Sequence, residues 1–317
     1  MSQETTTTDE RTESGLDFDL DRLGLYAALV LLVGFFLGPI EMGLVTSVKT
    51  EPTAGVPFLP PSADGITFEK WTMAFDALSS GLFNSVVMAV PATVFSALFG
   101  SMAAYGLTQI SWKGQIPILS LFVAAIFIPY QAVLVPLTQF WSVYFPLTDL
   151  LWELQIYVPG TGILVWPGLA AFGVPNDYGE LLKLIITHVA YGIPICTILF
   201  RSFYKGMSGE MIEAARLDGA SIRRIYRRIV FPLSAPMFAV VLIYQFTQIW
   251  NELLFALILI SSGTSEAAPV TLVLAGLGES QQGLDFALRM AGALLTALPT
   301  LIVYVLFGEE FAEGAAT

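Results

Sequence analysis

The stretch EAARLDGAS, residues 213–221, is charged and polar, although it lies between two long apolar runs. The run before it ends near Phe200, and the run after it begins near Ala235. Its pattern continues as Glu-Ala-Ala, three residues, Gly, nine residues, Ile229, two residues and Pro232. Because charged groups are costly inside a bilayer, this stretch predicts a loop outside the membrane that joins two spans. Its fixed spacing favours a docking surface over an ordinary connector.

The composition predicts an all-α integral membrane protein. Of its 317 residues, 55% are hydrophobic and 13% are charged, whereas soluble domains have about 25% charged residues. A transmembrane helix needs about 20 apolar residues. Six runs meet this requirement and predict six transmembrane helices, at residues 23–45, 82–107, 116–138, 184–200, 235–260 and 290–307.

The positions of Lys and Arg predict the orientation of the chain. With the N-terminus in the cytoplasm, ten of these residues are cytoplasmic and four are external. Both termini are then cytoplasmic. The first apolar run follows Asp17, Asp19 and Asp21 instead of a basic segment. It is therefore expected to be an uncleaved membrane anchor and not a signal peptide.

The spacing from Glu213 to Pro232 resembles the EAA loop of ABC importer permeases. Other stretches resemble the permeases of maltose-type carbohydrate importers, in particular the smaller of their two permease subunits. These are NSVVMAVPATVFSALFGSMAAYGL (84–107), IPYQAVLVPL (128–137), HVAYGIPICTILFRSFY (188–204) and FTQIWNELLFALILI (246–260). Residues 143–175 depart from the family because they are longer and more apolar than its usual loop.

The resemblance implies the type I ABC importer permease fold and a set of partners. These are a second permease subunit, two ATPase subunits, an external solute-binding protein and membrane lipid, and no nucleic acid is expected. The chain itself is then not an enzyme and binds no cofactor, because ATP and Mg²⁺ are held by the ATPase. In agreement, no Gly-Lys dipeptide occurs, so the phosphate-binding GxxxxGK[ST] loop is missing.

The expected organisation follows from these segments. The N-terminal tail has seven acidic residues and one Arg within its first 21 positions, a composition typical of disorder. Residues 154–174 carry no charge and are long enough to span, but several prolines and glycines interrupt them, so an external loop is favoured. The segments are an acidic cytoplasmic tail (1–22), the first helix (23–45), an external loop (46–81), the permease core (82–307) with an external insert (143–175) and a coupling loop (204–235), and a cytoplasmic C-terminal tail (308–317).

In the coupling loop, two short helices are expected to form a compact unit. Ser208 is predicted to cap the first helix, and Gly219 to supply the turn, since glycine readily adopts positive φ. The second helix should run from Ser221 to about Val230 and stop at Pro232. The residues assigned to ATPase coupling by the resemblance are Glu213, Ala214, Ala215, Asp218, Gly219, Ile229 and Pro232.

Four arginines in the second of these helices share one helical face, because they repeat at i, i+1, i+4 and i+5. They are Arg223, Arg224, Arg227 and Arg228. Two interpretations stay open: contact with anionic lipid, which also fixes the topology, or contact with an acidic rim of the ATPase.

The pair Asn251 and Glu252 is the candidate for the translocation path. A charge at the bilayer centre costs on the order of 3 kcal/mol, so an intramembrane Glu normally faces a cavity or a partner. Counting along the helix places Glu252 towards its outer end. The alternative to a cavity or partner is therefore that the Glu252 side chain reaches back to the membrane interface. The same alternative is favoured for His188 and Glu41.

No catalytic or metal site is expected. One histidine and one cysteine, Cys196, exclude a zinc site of the usual kind and an intrachain disulfide. The transported solute is expected to be a sugar or small oligosaccharide, with glycerol phosphate, a polyol or an osmolyte as the alternative. An ion-coupled secondary transporter would show relay residues in mid-membrane and repeated halves, and neither is clear in this sequence. A membrane scaffold that transports nothing is a third possibility.

Overall fold

The computed structural model describes residues 20–50, 61, 65–280 and 283–316. Residues 1–19 of the predicted acidic tail lie outside this described part. The helices are α1 (Leu20–Ser47), α2 (Glu69–Thr108), α3 (Gln115–Phe127), α4 (Tyr130–Gln139), α5 (Asp177–Gly206), α6 (Gly209–Leu217), α7 (Ile222–Ile225), α8 (Phe231–Leu233), α9 (Ala235–Trp250), α10 (Leu254–Leu259), α11 (Val270–Gly276) and α12 (Phe286–Ala316).

Short irregular elements connect these helices. Single π-helical turns lie at Phe140–Tyr144, Asp149–Glu153 and Tyr226–Val230, and a 3₁₀ turn lies at Leu169–Phe172. Two small antiparallel hairpins pair β1 (Ile156–Tyr157) with β2 (Leu164–Trp166) and β3 (Glu279–Ser280) with β4 (Gly283–Leu284).

Within the described residues, four helices are long and apolar enough to cross a membrane, at Arg22–Ser47, Glu69–Thr108, Asp177–Gly206 and Phe286–Gly308. Two bent pairs also qualify if each is one span. Gln115–Phe127 and Tyr130–Glu153 meet at 103°, and Ile222–Leu233 and Ala235–Trp250 meet at 75°. The count then reaches six, as predicted. The all-α class is likewise confirmed.

Two of the predicted spans are broken, which the apolar runs did not indicate. The third breaks at Ile128 and Pro129, which are both extended with ψ of 116° and 142°. Proline has no amide hydrogen to donate, and it disfavours helical geometry in the residue before it. The predicted fifth span, 235–260, is also not continuous, because α9 ends at Trp250 and α10 begins at Leu254.

The helix ends also differ from the predicted boundaries. Residues 69–81, predicted as loop, form the first turns of α2, since no proline occurs between Pro61 and Pro91 and Glu69 occupies the favourable first turn. The backbone of α12 stays helical to Ala316, so the predicted C-terminal tail extends the last helix. As expected, residues 154–174 contain no α-helix.

Small residues allow α2, α5 and α9 to pack closely, as in other membrane bundles. A Cβ on Gly100 of α2 would lie 2.4 Å from Cys196 Cβ on α5. A Cβ on Gly192 would lie 2.3 Å from Gln245 Nε2 and 2.4 Å from Ser96 Oγ. These contacts place the three helices side by side over much of their length. The coupling loop and the broken segments are attached to this central unit.

An ion pair joins the start of α2 to the start of α12. Lys70 Nζ donates to Asp285 Oδ2 at 2.6 Å, and the Leu288 amide donates to Asp285 Oδ1 at 3.0 Å. Burial raises the pKa of the Asp285 carboxyl, but the hydrogen bonds from Lys70 and from the Leu288 and Ala287 amides, together with the charge of Lys70, outweigh it and hold the pKa below its usual value.

Candidate functional site

The turn of the coupling loop depends on Gly219. Its φ is +76°, in the left-handed region that glycine adopts without a steric penalty. The Gly219 amide donates to Arg216 O and the Ala220 amide to Ala215 O, both at 3.0 Å. These bonds satisfy the last carbonyls of α6. The turn predicted at Gly219 is therefore confirmed, and its cause is the positive φ of this glycine, as expected.

The caps of the two short helices differ from expectation in one respect. Ser208 occupies the position before α6 with an extended backbone, but its side chain makes no capping hydrogen bond. Ser221 caps α7, because its hydroxyl accepts a hydrogen bond from the Arg224 amide at 3.4 Å. The predicted Ser208 cap is thus wrong as a side-chain contact.

The α6 helix presents a face that the sequence did not identify. Ala215 is half-buried and packs against a cluster of this chain that includes the buried Ile212. Glu213 and Ala214 are exposed, and the Leu217 side chain is 88% exposed. Of the two alanines assigned to ATPase coupling, Ala214 is therefore on the outer surface, whereas Ala215 is partly covered by this chain itself. Leu217 lies on the same outer surface as Ala214.

The second half of the coupling loop does not stop at Pro232. The chain continues from the π-helical turn Tyr226–Val230 into α8, where Pro232 occupies the first turn. Proline is tolerated there because the amide of that position needs no helical partner. The break comes at Ser234, where the axis bends before α9. Ile229 is half-buried and packs against the same cluster that includes Ile212, which we call the second cluster to distinguish it from the larger one around Trp250.

Four hydroxyl groups, three of them on buried residues and one on the half-buried Tyr226, connect the coupling loop to the spans. Ser101 Oγ on α2 lies 2.6 Å from Tyr204 Oη on α5 and 2.8 Å from Tyr226 Oη on the loop. Ser234 Oγ, at the bend before α9, donates to Tyr204 Oη at 3.2 Å. Ser101, Tyr204 and Ser234 are each 0% exposed. We call these four side chains the hydroxyl cluster.

Glu252 lies in the break between α9 and α10 and is buried, with its side chain 7% exposed. The Phe255 amide donates to both of its carboxylate oxygens, at 3.0 and 3.1 Å. His188 Nε2 on α5 lies 3.7 Å from Glu252 Oε2, and His188 is itself 5% exposed. Burial therefore excludes the interface for Glu252, where it was the alternative, and for His188, where it was the favoured interpretation. The break turns the carboxylate inward, where it closes the free amide end of α10.

Asn251 separates from Glu252 in the structure. It is exposed, and its Nδ2 donates to Thr247 O at 2.9 Å within α9. Glu41, by contrast with His188, is exposed on α1. Asn251 and Glu252, the predicted pair, therefore have different environments.

An aromatic group surrounds the buried pair and borders a cleft. Phe255 lies 4.9 Å from Tyr191, 5.0 Å from Tyr130 and 5.6 Å from His188, measured between ring centroids. The cleft has a volume of about 320 Å³ and is lined by residues of α3, α4, α5 and α9 and of the break at Pro129. Its polar lining comes from Tyr130, Tyr191, Tyr244 and Gln248.

Comparison with known proteins identifies the family. Residues 82–308 match the model described as binding-protein-dependent transport system inner membrane component, a region that includes the coupling loop, the hydroxyl cluster and the break. The chain belongs to this family. It is a multi-pass membrane protein and a transport permease.

This permease is similar along nearly its whole length to known importers. The xylose/arabinose import permease protein XacI of Haloferax volcanii is 48% identical over 303 residues, covering 95% of this permease and 94% of that protein. The probable ABC transporter permease protein PH1216 of Pyrococcus horikoshii is 34% identical, covering 92% and 94%. A solved bacterial ABC transporter that imports alginate matches with a TM-score of 0.64 at 19% identity, covering 94% and 100%. The permease has the type I ABC importer fold.

The four arginines that were predicted to share one helical face lie in the second half of the coupling loop, and all four are exposed. Because they are exposed, Arg223, Arg224, Arg227 and Arg228 can contact either anionic lipid or an acidic rim of the ATPase. Arg216 behaves differently, because its guanidinium donates to Gln109 O just after the end of α2. It therefore ties α6 to a span.

Several residues of the site gave little signal in the sequence. Leu217 was recognisable as a large apolar side chain inside a charged stretch. Ser101, Tyr204 and Tyr226 carry no such signal, since serine and tyrosine are common in spans and their meeting depends on packing. The same is true of His188, which is 64 positions before Glu252 in the chain.

Proposed function

We propose that this permease forms part of the translocation path of an ATP-driven importer for a sugar or small oligosaccharide. A solute-binding protein delivers the solute from outside, and two ATPase subunits and a second permease subunit complete the transporter. ATP and Mg²⁺ are held by the ATPases. The 48% identity to a xylose/arabinose import permease supports a sugar as cargo. The observation that carries the coupling role is the exposed α6 face close to a π-helical turn whose Tyr226 is hydrogen-bonded to Ser101 of α2.

Docking of the ATPase is assigned to the outer face of α6. Leu217, Ala214 and Glu213 are exposed there, and an exposed leucine beside small side chains suits insertion into a cleft of a partner. A few side chains buried at the centre of an interface carry most of its energy, and Leu217 is the largest apolar candidate on this face. Asp218 and Gly219 shape the end of this face.

Transmission of the movement follows from the hydroxyl cluster. When the ATPases close on ATP, they displace α6 and the π-helical turn that carries Tyr226. Ser101 and Tyr204 hold that turn to α2 and α5, so the loop and the spans move together. The bend at Ser234 allows α9 to change its angle. ATP acts by binding one of the two states more tightly, which shifts their populations.

The cleft beside Glu252 is assigned to the path of the solute. Tyrosine rings can stack on the apolar face of a sugar, and hydroxyl and amide groups can pair with its hydroxyls. Tyr130, Tyr191, Tyr244 and Gln248 supply both kinds of group. Glu252 accepts a hydrogen bond from the Phe255 amide of α10 and lies near His188 of α5 behind this cleft, so it positions the cleft wall. Asn251 is exposed one turn beyond Gln248.

Reconstitution tests this function. The permease is co-expressed with a candidate second permease and a candidate ATPase. Uptake of labelled xylose, arabinose, glycerol phosphate and glycine betaine is then measured in vesicles with a candidate binding protein. We expect ATP-dependent uptake of a sugar that is lost when this chain is omitted. Uptake of glycerol phosphate or betaine alone would show that the alternative cargo, and not a sugar, is transported. Uptake driven by an ion gradient without ATP would overturn the proposal.

A further inference from the structure

The hairpin β1–β2 exposes apolar side chains on both of its faces. Leu164 is 43% exposed and Val165 is 62% exposed, and neighbouring residues of a strand point to opposite faces. Ile163 and Phe172 are 60% and 65% exposed. No Lys, Arg, His, Asp or Glu occurs from residue 154 to residue 176. In water, a two-stranded hairpin with no covered face is marginally stable at best.

The hairpin is nevertheless firmly attached at its base. The Val158 amide donates to Ile163 O at 2.8 Å across the tip. Trp152 is 3% exposed, and its Nε1 donates to Val174 O and Pro175 O at 3.2 and 3.0 Å. Gly168, at φ +81°, passes so close to Trp152 that a Cβ would lie 2.3 Å from Trp152 O. The apolar tip is therefore presented on a fixed support.

The length of α5 indicates at which level of the bilayer the base of the hairpin lies. Its 30 residues extend about 45 Å at about 1.5 Å per residue. This length matches a bilayer with its headgroup regions, about 40–45 Å. Val174 and Pro175 directly precede the start of α5 at Asp177, so the base of the hairpin lies at headgroup level. This holds for either orientation of the chain, and the coupling loop lies at the opposite end of α5.

We propose that residues 154–172 form an interfacial anchor, with the hairpin tip inserted among the lipids of the leaflet opposite the coupling loop. Continuity favours lipid as the occupant, since Val143 and Tyr144, which precede the hairpin, are 68% and 77% exposed. A soluble partner would leave both apolar faces in water whenever it dissociates, whereas lipid is always present. The anchor holds the outer end of α5 at a fixed depth while the other end moves.

Fluorescence quenching in lipid vesicles tests the anchor. A polarity-sensitive label is placed on a single cysteine at Val165 in full-length protein with Cys196→Ala. Matched labels are placed at Val30, which is 71% exposed on the apolar α1, and at the exposed Glu69 at the start of α2. We expect lipid-borne quenchers to place the Val165 label about 5–10 Å below the headgroups. The Glu69 label should be quenched by aqueous iodide instead.

A second pair of variants links the position of the label to apolar insertion. Leu164→Asp puts a charge on the strand, and Gln155→Asp puts the same charge at the base of the hairpin, on an exposed residue that is already polar. We expect Leu164→Asp to move the Val165 label into water with unchanged helix content. Gln155→Asp, at headgroup level, should shift it less.

Two outcomes would overturn the anchor. One is a Val165 label that iodide reaches as readily as the Glu69 label in vesicles. The other is a label that becomes protected only when the solute-binding protein is added, which would make the hairpin a docking site for protein. The measurement needs no transport, so its failure is distinguishable from failure of the importer assignment.

Discussion

Tyr226 Oη on the coupling loop lies 2.8 Å from Ser101 Oγ on α2, although 125 residues separate them in the chain. Ser101 also bonds Tyr204 on α5, so one small side chain joins the loop to two spans. Buried hydrogen bonds of this kind are costly to leave half-made. The loop is therefore attached to the spans by specific contacts as well as by chain connectivity.

Tyr226→Phe is expected to weaken coupling without preventing assembly. The ring and its contact with Tyr105, 5.3 Å between centroids, are kept, while one buried hydrogen bond worth about 1 kcal/mol is lost. The measurement is the amount of sugar taken up per ATP hydrolysed, which should fall. Tyr144→Phe, at a residue 77% exposed, is the control. An unchanged ratio in Tyr226→Phe, with ATPase bound, would remove the hydroxyl cluster from the coupling mechanism.

Gly219→Val and Gly219→Asn should separate backbone conformation from side-chain size. No atom lies within 4 Å of a Cβ built at this position, so the cost of valine arises from φ +76° alone, about 1–2 kcal/mol. Asparagine adopts this region more readily. We expect Gly219→Val to lose ATPase during co-purification and Gly219→Asn to retain it. Equal retention by both variants would mean that the turn is not required for docking.

Leu217→Asp tests docking more directly than any change at Ala215. Leu217 is 88% exposed, so its substitution should leave the fold and the melting temperature unchanged while the ATPase detaches. Ala215→Trp must displace the half-buried contacts of α6 with the second cluster, and it should lower the melting temperature as well as transport. Full co-purification of the ATPase with Leu217→Asp would place the docking surface elsewhere.

Glu252→Ala and Glu252→Gln separate two properties of this side chain, its ability to accept a hydrogen bond and its negative charge. Alanine leaves the Phe255 amide without the acceptor it has at 3.0 Å, at a cost of about 1–3 kcal/mol. Glutamine keeps an acceptor. We expect Glu252→Ala to lower thermal stability and sugar uptake, Glu252→Gln to restore most of both, and Glu41→Ala, on an exposed residue, to change neither. Failure of glutamine to restore uptake would show that the charge itself is needed.

The orientation of the chain can be measured with single cysteines in a Cys196→Ala background. Ser208 and Thr264 are both exposed, and they lie in the coupling loop and in the loop after α10. An impermeant reagent should reach Ser208→Cys only from the cytoplasm and Thr264→Cys only from outside. Cysteines at Asp149 and Asp177 should both react from outside. Reaction of Ser208→Cys and Thr264→Cys from the same side would contradict six spans.

The sequence by itself determined the class of protein, and it predicted the site of coupling. A charge-poor run long enough to span is a local property, so six membrane segments could be counted without knowing their partners. The spacing from Glu213 to Pro232 predicted the coupling loop. The turn at Gly219 was also predictable, because the demand for positive φ is local.

Tertiary structure alone decided what each side chain faces. Glu252 is buried because the helix breaks beside it and His188 of α5 lies opposite, and Ala215 is partly covered while Leu217 is exposed because α6 packs one face against the spans. The meeting of Tyr226 with Ser101 likewise depends on the approach of α2 and the coupling loop. Such pairs join residues far apart in the chain, so no local pattern encodes them, and their geometry follows from the packing of whole helices.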